Sequence, residues 1–167
     1  MAVGDQDITL GIDKPCKANQ GGIETLYIFP YVKYSRAQIS LLNEFIIDYP
    51  DTDVFEYEAQ SIGFTENSKI TNGGVEWSQD LSFKIPVTDV LSEIHKLPYQ
   101  DYCIIFKDRQ GLLRFMGLWN GATIETSNTT GTDKASFMGY DVKVSAKETR
   151  QAQFINPTVF NNIFTII

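Results

Sequence analysis

Val75-Glu76-Trp77-Ser78-Gln79-Asp80-Leu81-Ser82-Phe83-Lys84-Ile85 is the stretch that decides the fold. Val75, Trp77, Leu81, Phe83 and Ile85 point one way. Glu76, Ser78, Asp80, Ser82 and Lys84 point the other, and Gln79 is the one polar residue on the apolar side. Successive side chains of a strand face opposite ways, so this period predicts a strand buried on one face and open to water or a lumen on the other. Upstream, Asn72-Gly73-Gly74 is turn chemistry, the polar run Thr65–Gly74 reads as a loop, and Val54–Phe64 alternates like a second strand. Downstream, Pro86 breaks the period. Val87, Val90, Leu91, Ile94 and Leu97 then have helical spacing, which predicts a helix ended by Pro98.

Farther out, Ile23–Phe29 is a run of β-formers halted by Pro30, and Tyr31–Tyr34 reads as a further strand. Ser35–Tyr49 fits either a helix (Ile39, Leu42, Phe45, Ile46, Tyr49) or a short strand at Phe45–Ile47. Tyr102–Lys107 and Leu112–Leu118 flank Asp108-Arg109-Gln110-Gly111 as a hairpin. Ala122–Ser127 and Tyr140–Lys147 are strands joined by a Gly/Thr/Asn-rich loop. The expected fold is mainly β: an antiparallel β-sandwich or partly closed barrel with one packed α-helix, a single domain over residues 1–150. Residues 151–167 form an apolar C-terminal extension that must be buried, on its own domain or on a neighbour as an inter-subunit arm. Phe154, Val159, Phe160, Phe164 and Ile166 are the candidate inter-subunit contacts. If the extension is such an arm, deleting Phe154–Ile167 leaves a folded core and weakens assembly.

The composition supports one folded core: 43% hydrophobic, 21% charged and 13% aromatic over 167 residues. A net charge of −7 argues against wrapping nucleic acid, whose affinity comes from Lys and Arg. Cys16 and Cys103 are too few and too far apart for a disulfide framework or a zinc site. No apolar run reaches the roughly 18 residues of a membrane span, and Met1–Leu10 shows no secretory pattern.

Catalytic chemistry finds little to stand on. His95, the single histidine, has no nucleophile or orienting acid placed beside it by spacing, and it reads as a solvated helix position. Glu56 and Glu58 share a strand face and could do acid–base work on a glycoside, but a solvated face that resists edge pairing explains them as well. Asp48, Asp51 and Asp53 do not follow an EF-hand spacing. Gly21-Gly22 and Gly73-Gly74 lack the companions of a phosphate loop. Trp77 lies on the apolar side of its strand, whereas Trp119 and Tyr102 could stack a sugar. No enzyme, metal or cofactor is expected.

Lys14-Pro15-Cys16-Lys17, Gly21–Ile28, Phe64-Thr65-Glu66-Asn67 and the Trp77–Ile85 strand resemble stretches in small virion proteins of Bacteroidetes-infecting, crAss-like phages. The order strand, short helix, hairpin, strand, loop, strand is similar to the tail-tube fold of tail tubes, tail rings and tail hubs. The insertion at Ser35–Asp53 and the apolar tail depart from that pattern. The resemblance implies a virion structural protein, made in the host cytoplasm, that forms a homo-oligomeric ring or tube, six- or twelve-fold by analogy. It further implies contacts with other tail or portal-proximal virion proteins, DNA passing through the lumen without specific binding, and no membrane. The alternative is a glycan- or receptor-binding β-sandwich module.

Overall fold

The computed structural model describes residues 22–57, 59–86 and 91–167. The strands are β1 (Ile23–Pro30), β2 (Ser40–Leu42), β3 (Phe45–Asp48), β4 (Thr52–Tyr57), β5 (Gln60–Thr71), β6 (Gly74–Pro86), β7 (Tyr102–Asp108), β8 (Leu113–Met116), β9 (Thr123–Thr129), β10 (Gly139–Glu148), β11 (Gln153–Ile155) and β12 (Phe164–Ile166). Helix α1 (Leu91–Lys96) runs into a 3-10 turn, Leu97–Tyr99, and α2 (Pro157–Ile163) precedes β12. The chain is mainly β, in two sheets. One has the order β12-β4-β1-β7-β8-β11-β3-β2 and the other β5-β6-β10-β9, and neither closes into a barrel.

The alternation of the deciding strand holds where it meets the body. Leu81, Phe83 and Ile85 are buried against Val142, Val144 and Ala146 of β10 and Leu26, Ile28, Ile104 and Phe106 of the larger sheet. Those partners sit on β1 and β7, which are buried on both faces. Tyr27, Phe29, Cys103 and Ile105 point the opposite way, into a second core with Ile46, Tyr49, Phe115, Ile155, Phe160 and Phe164. A strand buried on both sides carries an unbroken apolar run rather than an alternating one, as Leu26–Phe29 and Cys103–Phe106 do. The larger sheet is therefore packed on both faces: one against the four-stranded sheet, the other around a second core to which α2 and Phe164 of the C-terminal tail contribute.

Several expectations are revised. Tyr31–Tyr34 is not a strand: after Pro30 pairs with Tyr102, the chain leaves the ladder and Val32 and Lys33 turn to solvent. Ser35–Tyr49 resolves into the β2–β3 hairpin, because Asn43 and Glu44 adopt positive φ (49° and 67°) in a two-residue turn. Val54–Phe64 is split between β4 and β5, which belong to different sheets, with Ser61 at φ 52° where the β5–β6 register shifts. The polar run Thr65–Gly74 is no loop. It continues β5, paired with β6 as far as Thr71 opposite Gly74. The predicted helix is observed only over Leu91–Lys96, and Pro98 lies inside the 3-10 turn that follows; positions 87–90, Cys16 and Glu58 lie outside the described residues.

The pairing is not antiparallel throughout, and the tail is the reason. β11 enters the larger sheet between β8 and β3, antiparallel to the first and parallel to the second, and β12 pairs parallel with β4. Between them, Asn156 caps α2 by accepting a hydrogen bond from the Thr158 amide at 2.9 Å, with Pro157 in the first turn. This second helix was not expected from the sequence.

Candidate assembly surfaces

Three features of the surface stand out from the packed body. The first is an arm. β10 pairs with β6 only up to Glu148 opposite Trp77, whereas β5 and β6 continue together to the Thr71–Gly74 turn. The hairpin end therefore projects past the sheet as a two-stranded ribbon. Ile70 and Val75 face each other across it on the same side as the core residues, yet they are 85% and 47% exposed. The core-facing period of β6 runs on where no core exists. Two-stranded ribbons are marginal by themselves in water, and this one carries a cross-strand apolar pair exposed to solvent.

The second feature is the outer face of the four-stranded sheet. It carries Lys69, Lys84, Lys143 and Lys147 against Glu76, Asp80, Glu125 and Asp141, with Ser and Thr between. Opposite charges oppose each other across the strands: Lys69 faces Glu76, Lys143 faces Glu125, and Lys84 lies 3.8 Å from Asp141. Lys147 reaches Glu76 at 3.9 Å, and Ser145 Oγ donates to Asp80 at 3.1 Å. Although the chain is acidic as a whole, this face is charge-balanced and polar.

The third is the turn from β8 to β9. Gly121 has φ 75°, and a Cβ there would meet the Tyr31 ring at 2.9 Å, so only glycine fits. Glu148, buried at the end of β10, accepts hydrogen bonds from the amides of Trp119 (3.2 Å) and Asn120 (3.0 Å) and from the Asn120 side-chain amide. Burial raises its pKa above the ordinary carboxylate value against the lowering effect of those bonds. Tyr31 donates its hydroxyl to the Trp119 carbonyl. Trp119 is thereby fixed, half-buried, at the rim of a cleft.

Two further buried polar groups tie the layers together. Gln79 donates to Glu66 Oε2 (3.0 Å) and accepts from the Gly117 amide (3.3 Å), while the same Glu66 oxygen accepts from the Ala152 amide (2.7 Å). Gln153 donates to Glu44 at 2.7 Å. Gln79 was visible in the sequence as the break in the apolar row. The partners of Glu66 and Glu148, backbone amides and side-chain amides, lie far away in sequence, and no local pattern names them.

The residues singled out from the sequence fall in different places. Phe160 and Phe164 are each 4% exposed inside the chain's own second core, Phe154 and Val159 are half-buried, and Ile166 is exposed. Tyr102 is buried and donates nothing to a surface; its hydroxyl accepts from Gln100. Cys103 is buried, its thiol pushed up in pKa by desolvation. Glu56 is exposed, and exposed His95 has its ring 5.8 Å from that of Tyr140. Among the described residues, no group of three or more His, Cys, Asp or Glu side chains could hold a metal, and no helix is long and apolar enough to cross a membrane. No protein-family model, curated protein or solved structure matches this chain.

Proposed function

We propose that this protein is a structural subunit of a phage tail, forming a ring or tube around a DNA-conducting channel. The observation that carries this reading is the β5–β6 arm, whose apolar Ile70–Val75 pair has no partner within the chain. A monomer gains nothing from a solvent-exposed apolar ribbon, whereas a ring uses it to engage the next copy through a heterologous contact. The charge-balanced outer face of the small sheet suits a channel wall. Paired lysines release few counterions to DNA, and the acids beside them cancel the attraction, so the polymer slides without being held. The resemblance to crAss-like phage virion proteins supplies the tail itself; tube, ring and hub are all compatible with these surfaces.

The test is negative-stain electron microscopy with light scattering across concentration. Rings or stacked tubes with a central channel are expected from the wild type and not from Ile70→Asp/Val75→Asp. A wild type that stays monomeric, both alone and when co-expressed with neighbouring tail proteins, would sink the reading. The sugar-binding alternative keeps Trp119 but loses Tyr102 to the core, and binding on a glycan array would revive it.

A further inference from the structure

We propose that the cleft beside Trp119 is a socket for carboxylates of a second copy of this chain, supplied by its β3–β4 turn. The inference rests on the self-assembly reading and specifies one of its contacts. The cleft has a volume of about 170 Å³ and is lined by Arg36, Ile39, Leu41, Trp119, Thr149 and Arg150. Its basic character is unusual in a chain of net charge −7. Arg114 stacks over the Phe154 ring at 4.8 Å, but neither Arg36 nor Arg150 makes an ion pair among the described residues. Two guanidinium groups from separate segments thus converge on one rim with their donors unspent. The wall opposite is rigid: Glu148 holds the Trp119–Asn120 amides, and the chain leaves β10 directly into Thr149 and Arg150.

Size and chemistry limit the occupant. The volume, about 170 Å³, is below the ~300–1,000 Å³ of sites that enclose small-molecule ligands. Acidic side chains with one neighbouring apolar group fill it. Guanidinium forks bind carboxylates in a fixed planar geometry, and the indole face accepts a ring or a second cation. The β3–β4 turn offers that combination. Asp51 and Asp53 are exposed, Phe55 is 46% exposed, and Asp53 and Phe55 point the same way from β4. Thr52 Oγ1 donates to the Pro50 carbonyl at 2.8 Å and shapes the turn. The turn leaves β3, which pairs with β2 beside the cleft, through Tyr49 and Pro50, so socket and plug are built from different residues but lie toward the same region of the large sheet. Their opposite charges complement each other between copies.

A mixing experiment tests this. The socket variant Arg36→Asp/Arg150→Asp keeps its plug, and the plug variant Asp51→Lys/Asp53→Lys keeps its socket. All four positions are exposed, so both variants should match the wild type in circular dichroism and thermal midpoint. By sedimentation velocity in low salt, each alone should self-associate at least ~10-fold more weakly than the wild type, since like charges replace complementary ones. Mixed in equal amounts, they should associate with each other and recover wild-type assembly, because the native socket of one meets the native plug of the other and the Asp-bearing socket faces the Lys-bearing plug. Added salt should weaken the wild-type contact. If the wild type forms rings and both variants form them equally well, the socket is overturned while the ring reading stands. A mixture in which the two variants do not associate overturns the plug-and-socket pairing, as does a single-stranded DNA oligonucleotide whose binding the socket variant abolishes. A wild type that never associates overturns both readings.

Discussion

The two cores of this molecule are closed in different ways. The first lies between the sheets and is built from alternating strands, Leu81, Phe83 and Ile85 against Val142, Val144 and Ala146. The second is built from rings: Phe29 lies 5.6 Å from both Phe115 and Phe164, Tyr49 is 5.4 Å and 5.5 Å from the same pair, and Phe160 covers Tyr27 at 4.9 Å. The first core joins strands far apart in the chain, β6 with β10 and β1 with β7, whereas the second also needs a tail that returns from the end of the chain. Both cores draw on β1 and β7, so loss of the tail from one face of those strands is felt on the other.

The largest effect should come from removing that tail. Deleting Phe154–Ile167 takes β11 out of the middle of a sheet and strips Phe160, Ile163 and Phe164 from the second core. Buried Phe and Ile side chains are worth ~2–5 kcal/mol each, so the loss is comparable with the ~5–15 kcal/mol stability of a typical domain, and the truncated chain should show no cooperative melt by circular dichroism. This reverses the expectation that a folded core would remain. A truncated chain that still melts cooperatively would make the first core an independent unit.

Next come single truncations on either side. Phe164→Ala and Phe83→Ala, both nearly fully buried, should each cost ~3–5 kcal/mol in denaturant unfolding. Equal costs with unchanged m-values would make the two cores one cooperative unit. Gln79→Ala should cost less, ~1–3 kcal/mol, by leaving the buried Gly117 amide without its acceptor.

Glu148 gives a pH test at the seam. Its folded pKa is raised, so the fold prefers the protonated form. Its contribution is full below the unfolded carboxylate value of 4.5 and is lost as pH rises through the folded value. The difference in thermal midpoint between the wild type and Glu148→Gln should shift against the wild type as pH increases across that window and be flat above it. The smallest effect belongs to the arm. Ile70→Ser should change monomer stability by no more than ~0.5 kcal/mol, because the side chain is almost wholly exposed in its own chain.

The same contrast explains what could be read in advance. β6, β10 and the β7–β8 hairpin were legible because each has one buried face or a turn with Gly111 at positive φ (86°). β2 and β3 were ambiguous because the Asn43–Glu44 turn lacks the usual glycine. Only the first part of β5, Gln60–Phe64, falls in a predicted strand; Thr65–Thr71 reads as a loop because its polar outer face and its projecting end carry little apolar signal. The candidate surfaces were only partly legible. The apolar tail was seen, but Phe160 and Phe164 face inward, and the Arg36–Trp119–Arg150 cleft is assembled from three separate segments.

By itself, the sequence determined a mainly β chain with a half-buried central strand, a hairpin at Asp108–Gly111 and a tail that had to be covered. Those are local properties, since period and turn chemistry act between residues a few positions apart. Only the tertiary structure decided that the tail covers its own chain, that two of its strands pair parallel, that the alternation of β6 outruns its core, and that two arginines meet at one cleft. These depend on contacts between residues far apart in the chain, whose partners no local pattern names.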